Sequence, residues 1–119
     1  MIWILRLKIP PMGLFGKLRN SLMKLYLIHT GYYDKSTGDG FYEQHTNILV
    51  VAKDAYSARE KVKLNKDYKD KKMHIDGIKE IENIDGYDVR LKKSTNDEKI
   101  NLFNHYQVRF LKSDESSSK

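Results

Sequence analysis

Residues Phe41–Leu64, FYEQHTNILVVAKDAYSAREKVKL, decide how this chain folds. Within them Gln44–Ala52 alternates: Thr46, Ile48, Val50 and Ala52 point one way, and His45, Asn47, Leu49 and Val51 the other. Asp54 follows, a residue whose carboxylate accepts from the free amides of a first helical turn. Ala55, Ala58 and Val62 then recur at helical spacing, with Arg59, Lys61 and Lys63 set to face water. The stretch therefore predicts a strand that runs into a capped amphipathic helix. Its alanines let that helix lie close to a sheet.

Upstream, Lys24–Tyr33 (KLYLIHTGYY) is rich in β-branched and aromatic residues and predicts a second strand. Leu25, Leu27 and His29 share one face; Tyr26, Ile28 and Thr30 share the other. The turn formers of Asp34–Gly40 make the connection. Both strands carry large apolar side chains on both faces, a pattern expected of central strands covered twice. One helix covers one face only. Downstream, Asn65–Lys72 reads as a charged connector. Met73–Glu82 and Tyr87–Lys93 read as two more strands hinged at Asp85-Gly86, a strong turn dipeptide. Ile75, Ile78, Ile81 and Ile84 recur every third residue, which suits a helix, but Gly77 weakens one and strand is the expectation. Asn101–Leu111 (NLFNHYQVRFL) predicts a last strand with Tyr106, Val108 and Phe110 inward. The fold class expected is α+β: a small, mainly antiparallel sheet in β-β-α-β-β(-β) order with one helix packed on one face.

The segments LYLIHTGYYD, EQHTNILVVA leading into DAYSAREKVK, and HIDGIKEI followed by DGYDVRL resemble one copy of domain-of-unknown-function family 1543, from residue 24 to about residue 93. The resemblance implies a small bacterial, cytosolic protein. It carries no established activity and no active site. It also implies Met23 as the start, and, since the chain has room for one copy, a domain that pairs with itself.

The 119 residues suit one domain, with a single modest core. The expected division is a leading segment 1–22, a domain 23–112 and a disordered polar tail 113–119. There is no cysteine, which removes disulfides, thiol catalysis and thiolate metal sites and suits a reducing compartment. The net charge of +6 belongs largely to the leader MIWILRLKIPPMGLFGKLRNSL, whose Arg6, Lys8, Lys17 and Arg19 face no acid. Without those four the chain has 18 basic side chains against 16 acidic ones, so overall basicity says little about phosphate binding. The leader is too short and too charged to span a bilayer and lacks a secretory cleavage pattern. It touches a membrane surface only if it belongs to the mature chain.

Several chemistries fail on their spacing. A calcium loop starting at Asp34 would need oxygen ligands where Gly38 stands and glutamate where His45 stands. No phosphate loop and no serine elbow is present. The four histidines, His29, His45, His74 and His105, fall on four expected strands. His29 and His45 become neighbours if the first two strands pair antiparallel, and with Glu43 or Asp34 they compose a cluster of imidazoles and carboxylate. His74 and Asp76 share a strand face, where a carboxylate orients an imidazole. No HExxH-type spacing supports a metal, so these six form a polar cluster with no metal or cofactor assigned. A basic stretch holding Arg59, Lys63, Lys66, Lys71 and Lys72, with Tyr56 and Tyr68 interleaved and Tyr26, Tyr32, Tyr33, Phe41 and Tyr42 elsewhere, is the nucleic-acid candidate; a solvated helix face explains it equally. Three functions stay open. The one asking least of the sequence is a non-enzymatic binding module that self-associates through its second sheet face. The alternatives are an RNA- or DNA-binding protein using residues 59–72 and a metal-dependent enzyme using His29 and His45.

Overall fold

The computed structural model describes residues 22–114. The expectations for the leader, Leu22 apart, and for the end of the tail lie outside the described residues. In chain order the elements are β1 (Lys24–Tyr33), a 3-10 turn at Gly38–Gly40, β2 (Glu43–Ala52), α1 (Ala55–Val62), α2 (Lys66–Asp70), β3 (His74–Ile81), β4 (Asn83–Ile84), β5 (Tyr87–Asp88) and α3 (His105–Arg109). The fold is α+β, as the sequence predicts.

The three long strands form one antiparallel sheet in the order β2-β1-β3. β1 is central, but β2 is an outer strand, which corrects the expectation that both doubly apolar strands lie inside the sheet. β2 is apolar on both faces although, among the described residues, one of its edges pairs with no strand.

Among the described residues the core sits on one face of the sheet. Tyr26, Ile28, Val50 and Ala52 of the sheet bury against Ala58 and Val62 of α1, with Ile48, Tyr68, Ile75 and Ile78 packed around them. Burying aliphatic side chains of this size contributes roughly 1.5–3 kcal/mol each. Thr30, the buried polar residue among them, donates from Oγ1 to Thr46 O at 3.2 Å and so remains satisfied. α1 starts where its cap predicts: Asp54 accepts from the amide of Ser57 at 2.8 Å. Lys61 Nζ donates to Val51 O at 2.8 Å and ties the helix to its strand. Ala55, expected on the buried face, is exposed, because it sits at the first helical position, beyond the edge of the core.

The three-residue isoleucine period has a structural cause. Gly77 lies opposite His29 and Ile75 opposite Thr30, so Asp76 is an extra residue bulged out of the ladder. The bulge lets Ile75 and Ile78, three apart, both reach the core face, while Ile81 turns to the other. A strand with one bulge thus mimics a helical repeat.

Three expectations need correction. The charged connector 65–72 contains α2, capped by Asn65, whose Oδ1 accepts from the amide of Tyr68 at 3.1 Å. The fourth strand shrinks to Tyr87–Asp88, paired with Asn83–Ile84 across Asp85-Gly86, whose φ values of 55° and 84° suit a two-residue hairpin turn. Beyond it the polar run Lys92–Asp97 offers no apolar face to hold a strand. Residues 101–111 form no strand. Asn104 and Gln107 cap each other, side chain to amide in both directions, and start the short α3 instead. Tyr106, Val108 and Phe110, expected inward, are exposed.

The titratable groups set the pH range of this fold. Hydrogen bonds from Ser57 to Asp54, and from the Tyr26 hydroxyl to Glu80 at 2.6 Å, hold both carboxyls below the usual carboxylate range. Such groups stabilise the fold above their unfolded pKa, about 4, and that contribution disappears as pH falls through the folded values. Tyr26 behaves oppositely. Burial first, then its bond to Glu80, pushes its phenol above the ordinary value of 10.0. Its contribution is complete below that value and is lost as pH climbs above it. The urea midpoint is therefore expected to be level between roughly pH 5 and 9 and to fall on either side. Tyr26→Phe should flatten the alkaline limb and, because it removes the bond that holds Glu80 down, also reduce the acid limb to the share of Asp54; an unchanged alkaline limb would assign it to other groups.

Candidate functional site

The sheet face turned away from α1 has a polar end and an apolar end. At the polar end Gly31 of β1 is flanked in register by His45 of β2 and His74 of β3. Two residues along, Glu43 joins His45 from β2, and the bulged Asp76 joins His74 from β3. Four side chains from the two outer strands thus converge over a glycine of the central one.

Their contacts alternate around a ring. His74 Nε2 lies 2.6 Å from Glu43 Oε2 and 3.2 Å from Asp76 Oδ1. His45 Nε2 lies 3.3 Å from Asp76 Oδ2 and 3.6 Å from Glu43 Oε1. Each carboxylate therefore offers one oxygen to each imidazole. Beside them His29 stacks on His45, with ring centroids 5.0 Å apart and planes 9° apart. Its Nδ1 bonds Asn47 Oδ1 at 3.0 Å, which leaves Nε2 free to act. All four ring members are part-exposed, so the site is open to water.

The glycine is a requirement of this arrangement. A Cβ on Gly31 would stand 2.5 Å from Glu43 Oε2, 2.6 Å from His74 Nε2 and 2.8 Å from Asp76 Oδ2. Each separation is below any real contact.

At the other end of the same face stand Leu25, Leu27, Leu49, Val51 and Ile81, paired across the strands as Leu25 with Val51 and Ile81, and Leu27 with Leu49. Leu49 is 53% exposed and Val51 37%. Lys79, opposite Leu27, puts a positive charge beside this patch.

Of the six residues of the sequence-derived cluster, five meet here: His29, Glu43, His45, His74 and Asp76. Asp34 does not. Its carboxylate accepts from the amide and hydroxyl of Ser36, at 2.9 and 2.7 Å, and shapes the loop. The histidine pair was legible from antiparallel alternation. The joining of Glu43 and His45 to His74 and Asp76 was not, because it needs β1 in the centre and the bulge at Asp76. The sequence reading also missed Gly31; a glycine amid a β-branched run is the signal that marks a close approach.

Most cations of the basic stretch have partners of their own. Arg59 and Lys63 both bond Glu60, at 3.0 and 3.1 Å, and Lys66 bonds Asp70 at 2.6 Å. Lys71 lies over the Tyr32 ring, 4.9 Å from its centroid. Lys72 has a positive φ of 50° in the turn before β3. Tyr26, counted among the aromatics, is fully buried and stacks on no base. Among the described residues no helix is long and apolar enough to cross a membrane.

Sheet, helix and open face together define a small α+β domain whose sheet, among the described residues, is covered on one side. Within that class, residues 40–91 match the family model described as Domain of Unknown Function (DUF1543), a little under half of the chain, and the chain resembles that family. The matched span takes in β2 through β3, and so Glu43, His45, His74 and Asp76; His29 and Gly31 precede it. No curated protein and no solved structure matches the chain.

Proposed function

We propose that this domain is a non-enzymatic binding module that pairs with a second copy of itself through the uncovered sheet face. The observation that carries the reading is the row Leu25, Leu27, Leu49, Val51 and Ile81 on the face opposite α1, with Leu49 more than half exposed. An apolar sheet surface of this kind favours a cover. A second copy suits it because the face is self-complementary. The same apolar row is present on every copy, so two copies offer each other like surfaces. A two-fold pairing centred on Leu27 and Leu49 sets apolar against apolar and leaves each polar end at the rim. The outer edge of β2, which pairs with no strand among the described residues, adds backbone donors and acceptors beside the same surface. The resemblance and the cysteine-free composition support a bacterial cytosol as its setting.

Sedimentation velocity of the full chain over a wide concentration range tests this reading. The expected result is a monomer–dimer equilibrium, weakened about a hundredfold by L49K together with V51K, since those lysines must be buried to pair. A monomer at every concentration sinks the proposal. So does a dimer indifferent to the two lysines.

A further inference from the structure

The polar end of the open face carries a second inference, independent of self-association. We propose that Glu43, His45, His74 and Asp76 form a mononuclear site for a first-row divalent cation of the zinc class, with Gly31 as its floor.

Three observations converge on this. The first is spacing. Zinc bonds of 2.0–2.2 Å in a tetrahedron place neighbouring ligand atoms roughly 3.3–3.6 Å apart. Three of the four contacts around the ring measure 3.2, 3.3 and 3.6 Å, each carboxylate meeting the two imidazoles through different oxygens, so binding must bring one oxygen of each to both. The fourth, 2.6 Å between His74 and Glu43, has the length of a hydrogen bond. A cation replaces the proton there and pushes that edge out to match the others. The ligand atoms of Glu43, His74 and Asp76 lie within 4.8 Å of one another, as do those of His29, His45 and Asp76.

The second is chemistry. Two neutral imidazoles and two carboxylates supply nitrogen and oxygen donors and two negative charges, which balance a dication. Imidazole favours zinc, copper, iron and nickel over calcium and magnesium, which prefer all-oxygen cages. The third is the floor. Gly31 is buried beneath the ring, and any larger residue would occupy the space into which three of the four donors lean. Packing does not ask for that gap, since the core lies on the opposite face.

His29 completes the picture without being one of the four. Its bond to Asn47 fixes the ring, which lies stacked against that of His45. A ligand's ring orientation is commonly held by such an outer contact. Here the outer group is an imidazole that stacks on the ligand rather than bonding to it.

The test is calorimetric titration of the full chain, stripped of metal and free of any histidine tag, with zinc chloride. Cobalt is added in parallel for its visible spectrum. The expected result is one saturable equivalent of zinc, and an intense cobalt band of tetrahedral geometry. H45A and H74A should each weaken binding about a hundredfold. H105A removes the histidine outside the cluster and should leave affinity unchanged. E43Q keeps the shape of the side chain and guards against misfolding: it too should weaken binding, with an unaltered circular-dichroism spectrum. No saturable binding would overturn the site. Zinc binding that survives H45A combined with H74A would place it elsewhere and overturn it equally. Neither result depends on the oligomeric state, so loss of the metal site and loss of self-association are separately visible.

Discussion

Ile28→Ala is expected to remove about 3–4 kcal/mol of unfolding free energy. Ile28 is fully buried in the central strand, paired with Ile48 on one side and Ile78 on the other, and packed beneath α1. Its loss leaves a cavity bounded by strands whose hydrogen bonds hold them apart, so the walls cannot collapse to fill it. A domain of this size has only about 5–15 kcal/mol to lose. Urea unfolding followed by circular dichroism measures the change. The matching variant is Leu27→Ala, one residue away and on the open face. Alternation makes it nearly harmless to the monomer, within about 1 kcal/mol. Equal losses at both positions would mean that both faces are covered within one chain and would overturn the single-sided core.

Gly31→Ala is expected to do the reverse: to spare stability and abolish the ring. The added methyl meets the ends of Glu43, His74 and Asp76, which are flexible and part-exposed and can swing into water. Gly31 lies in extended backbone, where alanine carries no strain and recovers the entropy that glycine loses on folding. The unfolding free energy should therefore shift by less than about 1 kcal/mol. Zinc affinity should fall at least as far as in H74A, because three of the four donors are displaced together. Two measurements on one variant, urea midpoint and zinc titration, check it. A large loss of stability with unchanged affinity would make Gly31 a packing residue and remove the floor from the site. Unchanged affinity alone would place the cation away from the ring.

Much of this molecule follows from local physics. Asp54 announces α1 because a carboxylate before Ala55–Val62 satisfies free amides whatever the rest of the chain does. Asp85-Gly86 announces its hairpin because few other pairs adopt two successive positive φ values. The Asn104–Gln107 capping box was equally local, and it outweighed the alternation of Tyr106, Val108 and Phe110. Alternating residues make a strand only where an edge is present to pair with, and none of the sheet's edges receives that segment.

The site belongs to the other kind of information. Alternation along each strand is enough to say which residues can share a face: His29 with Gly31, Glu43 with His45, His74 with Asp76. That these three pairs meet follows from the assembled sheet, because it depends on β1 lying between β2 and β3 in one register. Shifting either outer strand by one residue would turn its donors to the core face. The bulge at Asp76 adjusts the register at the site itself, and it is the same irregularity that spaced the isoleucines by three. The apolar half of the open face divides the same way. Alternation marked Leu25, Leu27, Leu49 and Val51 as a second apolar surface, but it took the placement of α1 on the opposite face to leave that surface open among the described residues.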